Sequence, residues 1–246
     1  MITLYGHVPA WGIPDLSPYV TCIDLYLRMT GLPYQMVVGL LDKAPKGKLP
    51  YIEDGAVTVA DTSFILDYLK RSHGDPLDGA LDSRQAAVRL MLWRMMNESF
   101  YWYLIQARYR RDQDFALYDP LWELFYGHLS AEEKRAAVEA TRERILVQFY
   151  QSGRGRLSWD EVEHMGCAEI DAVVGWLGEQ DYLFGARPSS ADCAVYAFLQ
   201  GLIYVPFENG IKAHALAQSR LRAYMARISE SYYPELRTAQ REYADA

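Results

Sequence analysis

Three short segments of this chain carry groups suited to holding a small anionic molecule. Gly47-Lys48-Leu49-Pro50-Tyr51-Ile52 is a turn running into an apolar strand with proline at its mouth, a position that tolerates a residue without an N–H. The bond before Pro50 also has little of the usual trans preference. Glu53-Asp54-Gly55 lies between two strand-like runs and predicts a hairpin. Asp61-Thr62-Ser63 precedes Phe64, Ile65, Tyr68 and Leu69 at helical spacing, which predicts a capped helix start with free backbone N–H groups. A hairpin whose second strand feeds a helix N-terminus is a ready site for a carboxylate.

The elements that must position these groups read as follows. Ile2 to Val8 alternates as a short strand, and Pro9 to Pro18 is a loop rich in turn formers. Ser17 caps a helix with Pro18 at its first position and Gly31 at its end. Tyr34 to Val38 is the next strand, and a short helix fits between Gly39 and Ala44 before the hairpin. Arg71 to Ser83 is a connector rich in Gly, Pro and Asp. It divides an α/β unit, residues 1–74, from an all-helical unit, residues 83–246. In the latter, one long helix is expected over Arg84–Arg111. Shorter ones follow over 120–128, 131–151, 158–178, 193–204 and 221–228, with caps at Ser130 and at Ser189-Ser190-Ala191-Asp192.

At 246 residues, half of them apolar, the chain can bury a sizeable core. A formal charge of −7 argues against a protein that tracks phosphate backbones. The basic knot Arg108-Tyr109-Arg110-Arg111 reads as a solvated helix end. Three isolated cysteines, Cys22, Cys167 and Cys193, support neither a disulfide framework nor a zinc ribbon. They fit a reducing, cytoplasmic setting. No signal peptide or membrane span is expected, and no metal site, because the five histidines lack ligand spacing. Nucleotide-binding, nucleophile-elbow and zinc-protease motifs do not occur.

The order of parts resembles the glutathione transferase superfamily, in which a G-K-x-P segment precedes the third strand and an acidic-Ser/Thr pair opens the following helix. The segments Pro14-Asp15-Leu16-Ser17-Pro18-Tyr19, Leu27-Arg28-Met29, Ala44 to Ile52 and Tyr232-Tyr233-Pro234 are similar to the branch containing metaxin and failed axon connections. The resemblance implies a thioredoxin-like N-terminal domain, an all-α C-terminal domain, and a homodimer with the cleft between the domains. It implies glutathione as co-substrate: Leu49 would pair with the cysteinyl unit beside a cis Pro50, and Asp61 and Thr62 would hold the γ-glutamyl group. Lys46 and Lys48 would offer charge to the glycyl carboxylate.

A thiol with a pKa near about 8.5 is mostly protonated at neutral pH, so such an enzyme must favour the thiolate with a donor and a helix N-terminus. Ser17 stands at the right spot, and Tyr5 on the first strand is the alternative. Trp11 in the long loop is placed to cover an electrophile. Asn97, Tyr101 and Arg108, with Trp93, fall on one helical stripe that either lines the cleft or packs in the core. The expected reaction is conjugation of glutathione to a small electrophile. A non-catalytic interaction scaffold and a glutathione-dependent isomerase or dehalogenase remain as other readings of the same motifs.

Overall fold

The structure is a computed structural model that describes residues 1–244. It opens with β1 (Ile2–Gly6), α1 (Pro18–Thr30), β2 (Tyr34–Val38), β3 (Tyr51–Asp54), β4 (Val57–Ala60) and α2 (Thr62–His73). The strands lie in the order β2-β1-β3-β4. β1 is parallel to β2, which needs the crossover helix α1 between them. It is antiparallel to β3, and β3 to β4, across a turn in which Gly55 has φ 61°. The thioredoxin-like layout read from the sequence is therefore present. Residues 40–47 form turns instead of the short expected helix, with a single α-type link from the Ala44 N–H to the Leu40 carbonyl at 3.1 Å.

Beyond the sheet the chain is helical. α3 (Ser83–Arg94), a π-helical turn (Met95–Phe100) and α4 (Tyr101–Tyr109) run end to end where one long helix is predicted. α5 (Asp112–Phe115), α6 (Asp119–Tyr126), α7 (Ala131–Gln151) and α8 (Trp159–Leu177) follow. α9 (Ser190–Ile203), α10 (Gly210–Ala217), α11 (Ser219–Tyr232) and α12 (Arg237–Ala244) complete it. Among the described residues no helix is long and apolar enough to cross a membrane.

α9 is the centre. All of its residues are buried, as befits a helix apolar on every side. Its start is held by Asp192, which accepts from the Ser189 N–H and hydroxyl at 2.7 Å each, the Leu183 N–H at 3.0 Å and the Tyr224 hydroxyl at 3.1 Å. Four donors compensate the desolvation of one buried carboxylate.

Two polar anchors join the sheet region to the helical region. Asp78, in the connector, accepts from the Ser190 N–H at 2.8 Å and from its hydroxyl at 2.5 Å, and pairs with Lys70 and Arg89. Asp24 on α1 accepts from the Tyr233 hydroxyl at 2.7 Å, from Tyr34, and from Arg28. Arg28 in turn reaches the Tyr232 carbonyl at 2.6 Å. The segment Tyr232-Tyr233-Pro234 thus closes onto the first helix.

Candidate active site

The mouth of β3 and the start of α2 meet beside the sheet. At the mouth of β3 the Leu49–Pro50 peptide is cis. The Pro50 carbonyl accepts the Asp61 N–H at 3.5 Å, which sets the hairpin beside the start of α2. Asp61 has φ 82°, an uncommon value for a residue with a side chain. Its exposed carboxylate accepts the Ser63 N–H at 3.0 Å, so it caps α2 while remaining open to solvent. Thr62 behind it is buried. Leu49 is buried too, whereas Lys46 and Lys48 are exposed in the preceding turn, Lys46 lying 4.3 Å above the Phe64 ring.

Ser17 precedes Pro18 at the first position of α1, and its hydroxyl makes no capping bond. The bland role of the residue, a side-chain cap, is therefore not the one it performs. Its own N–H goes to Asp15 at 2.8 Å and its carbonyl accepts from Thr21 at 3.1 Å. The hydroxyl is left beside the unpaired N–H groups of the first helical turn. Tyr5 is placed otherwise. It stacks on Tyr51 at 4.1 Å, and its hydroxyl donates to Glu53 at 2.8 Å. That bond to Glu53, with some burial, raises the Tyr5 pKa.

Asp15 holds the loop ahead of Ser17. It is buried, accepts the His7 N–H at 2.6 Å as well as that of Ser17, and occupies space that a side chain at position 6 would fill. Burial pushes its carboxyl up to about 8 against the pull of the two backbone donors. An acid two residues before a helix cap is the signal that sequence inspection passed over.

The stripe that runs from α3 through the π-turn to α4 meets the N-terminal region residue by residue. The Trp93 indole donates to the Ser63 hydroxyl at 3.2 Å. The Asn97 carbonyl accepts from the Tyr19 hydroxyl at 2.9 Å, and Tyr101 packs against the Tyr19 ring at 5.4 Å. Burial, with the charges of Glu98 and Asp61 adding to it after Tyr101, raises the Tyr19 phenol, which acts as a donor only.

Arg108 donates to the Leu16 carbonyl at 2.9 Å and to the Gly201 carbonyl at 2.8 Å. It is only 5% exposed, which corrects the reading of its basic knot as a solvated helix end. Arg110 and Arg111 likewise brace the carbonyls of Leu157 and Glu208.

Trp11 closes the other side. Its backbone has φ 51°, and its ring stands edge-on to Tyr118 at 5.3 Å and Phe207 at 5.1 Å. The neighbouring Gly12 donates its N–H to the Tyr204 carbonyl at 3.2 Å, and its own carbonyl accepts from the Gln240 amide at 2.9 Å. Tyr118, Phe207 and Gln240 come from parts of the chain with no local motif, and only the folded structure brings them here. Among the described residues, no group of three or more His, Cys, Asp or Glu side chains is arranged to hold a metal ion.

The chain is similar to known proteins over most of its length. The family model described as glutathione S-transferase N-terminal domain matches residues 18–115, and that of the C-terminal domain matches residues 166–228. The isoprene-epoxide–glutathione S-transferase of Rhodococcus sp. (strain AD45) is 37% identical over 94% of this chain and 99% of its own. Failed axon connections of Drosophila melanogaster is 25% identical over 83% of this chain and 51% of its own length. Among solved structures, the beta-etherase of Sphingobium sp. strain SYK-6 superposes with a TM-score of 0.62 at 18% identity. That superposition covers 98% of this chain and 99% of that one.

Proposed function

We propose, since the chain belongs to the glutathione S-transferase family, that this glutathione transferase opens small epoxides with the glutathione thiolate. The observation that carries the reading is the free Ser17 hydroxyl at the start of α1, in a chain 37% identical to an isoprene-epoxide transferase. The tripeptide lies along Leu49, with its cysteinyl backbone paired there. Its γ-glutamyl group rests against Asp61 and the N-terminus of α2. Lys46 and Lys48 stand on the exposed turn where a glycyl carboxylate would emerge.

Ser17 donates to the sulfur, and the dipole of α1 adds partial positive charge there. Both favour the anion over the thiol, which is what attack at neutral pH requires. Tyr5 has the weaker claim, because its hydroxyl is already given to Glu53. The electrophile enters between Trp11 and Tyr101, from the side opposite the tripeptide.

The reading includes a homodimer and detoxification in the cytoplasm. Exposed Val57, Phe64, Leu90 and Met91 support the dimer. β4 leads into α2, and the Trp93–Ser63 bond ties α3 to the start of α2; on this reading the four residues supply the apolar surface that a second copy covers. Three free cysteines suit a reducing compartment.

Calorimetric titration with glutathione, followed by product analysis with a small aliphatic epoxide, tests the function. Saturable binding and a hydroxy-thioether product are expected. Wild-type protein that binds no glutathione would overturn the reading.

A further inference from the structure

The chain has six lysines, and three of them, Lys43, Lys46 and Lys48, lie in the single turn between β2 and β3. The other three are held in ion pairs: Lys70 with Asp78, Lys134 with Glu123 and Lys212 with Glu208. The turn lysines are all exposed, and among the described residues none of them pairs with a carboxylate. Lys46 rests on the Phe64 ring at 4.3 Å, with its charge unmatched. Asp42 is the one acid in the turn.

The same turn holds apolar side chains in water. Leu40 is 52% and Leu41 44% exposed, and Val38, which leads into them from the outer strand of the sheet, is 60% exposed. Single exposed apolar residues are ordinary, whereas a run of them flanked by one sign of charge marks a contact surface. The base of the turn is fixed. Gly39 donates to the Gly6 carbonyl at 2.7 Å, and a Cβ on it would meet Leu49 at 2.6 Å. The Leu40 carbonyl accepts the N–H groups of Lys43 and buried Ala44 at 3.1 Å each. The tip therefore stands out from a rigid root.

Leucines flanked by unpaired lysines fit a surface that is apolar beneath and negative above. Two copies of the turn meeting across a two-fold axis would instead set lysine against lysine. We propose that this turn docks the protein peripherally on a lipid bilayer bearing anionic headgroups, with Leu40 and Leu41 entering the headgroup boundary and the lysines meeting phosphate. The docking does not depend on the glutathione reading, in which Leu40, Leu41 and Lys43 have no part. Leu49 and Pro50 follow the turn directly, so docking sets the mouth of β3 at the lipid surface.

Flotation of the full chain with vesicles tests this, using phosphatidylcholine alone and phosphatidylcholine mixed with phosphatidylglycerol. The wild type should float with the mixed vesicles and not with the neutral ones, and added salt should weaken the binding. Lys43→Gln should lower the affinity about 5-fold, the effect of one lysine near an anionic surface. Leu40→Ser combined with Leu41→Ser should lower it by about 10-fold or more. Unchanged thermal midpoints show the variants folded. A wild type that ignores the mixed vesicles, or that binds them as well when both leucines are serine, overturns the proposal. So does a wild type that stays off the vesicles while the double variant changes its mass by light scattering, because the turn is then a contact between copies. Failure to bind glutathione overturns the preceding functional reading and leaves the flotation result to decide this one.

Discussion

Arg108 donates to the carbonyl oxygen of Leu16 across 2.9 Å, so α4 holds the loop at the residue immediately before Ser17. The same loop is gripped at three more points. Asp15 takes the N–H groups of His7 and Ser17, Tyr204 takes that of Gly12, and Gln240 gives its amide to the Gly12 carbonyl. The grips from Arg108, Tyr204 and Gln240 come from elements far apart in sequence. Together they keep Trp11 in a left-handed backbone conformation that its side chain disfavours, and strain of this kind persists where the surroundings over-determine it. The loop is therefore held in one conformation by the fold itself.

Ser17→Ala should lower kcat/KM for glutathione conjugation by about 10²–10³-fold, the usual loss when one donor to a developing or stabilised anion is removed. The ultraviolet absorbance of bound thiolate, followed against pH, should move to higher pH in the variant. Because the Ser17 hydroxyl makes no cap bond, the thermal midpoint should barely change. A variant with full turnover would leave Ser17 without a role in the chemistry.

Asp61 separates backbone from charge. At φ 82°, alanine is strained where glycine is not. Both replacements lose the cap to Ser63 and the carboxylate, so both should weaken glutathione binding by roughly 10–100-fold, the scale of a charge-assisted hydrogen bond. They should differ in stability, with Asp61→Ala about 1 kcal/mol below Asp61→Gly in urea unfolding. Equal stability of the two would show that the backbone strain is not there to be relieved.

The fold was legible because its signals are local. Capping residues, the Gly55 turn and the apolar run of α9 each sit within a few positions, and the helices that begin just after Ser130, Ser158 and Ser189 follow from them. Asp61 and Pro50 were legible for the same reason. The stripe of Trp93, Asn97, Tyr101 and Arg108 was visible as a period, but its partners were not. Tyr19, Ser63 and Leu16 reach it only after the sheet has docked on α3 and α4. The π-turn at Met95–Phe100 has no sequence mark at all, since it interrupts an otherwise helical pattern. Arg108 was misread in its knot because charge composition does not tell which of four neighbouring positions faces inward.

Asp78→Ala should destabilise the protein by about 3–5 kcal/mol, as expected when one partner of a buried charged network is removed. The two Ser190 donors would lose their acceptor at the junction of α2 with α9, Arg89 would lose its carboxylate, and Lys70 would keep, of its ion pairs, only the longer one to Asp75 at 3.8 Å. Asp78→Asn retains an acceptor for Ser190 and should recover part of the loss. Chemical denaturation of the three proteins checks this, and an Asp78→Ala midpoint equal to wild type would deny the junction any weight.

Asp15 makes a prediction with a definite sign. Its carboxyl titrates near 8 in the folded chain, because burial outweighs the donors from Ser17 and His7, and near about 3.9 when unfolded. Between those values the folded state holds a proton that the unfolded state has released. Stability contributed by this group is thus fully present below the unfolded value and declines as pH rises toward 8. The decline is on the order of 1 kcal/mol per pH unit. Asp15→Asn cannot ionise, so its unfolding free energy should lack this slope, and wild type and variant should converge or cross between acid and mildly alkaline pH. Parallel curves across that range would place the carboxyl pKa near its ordinary value and remove burial as its controlling influence.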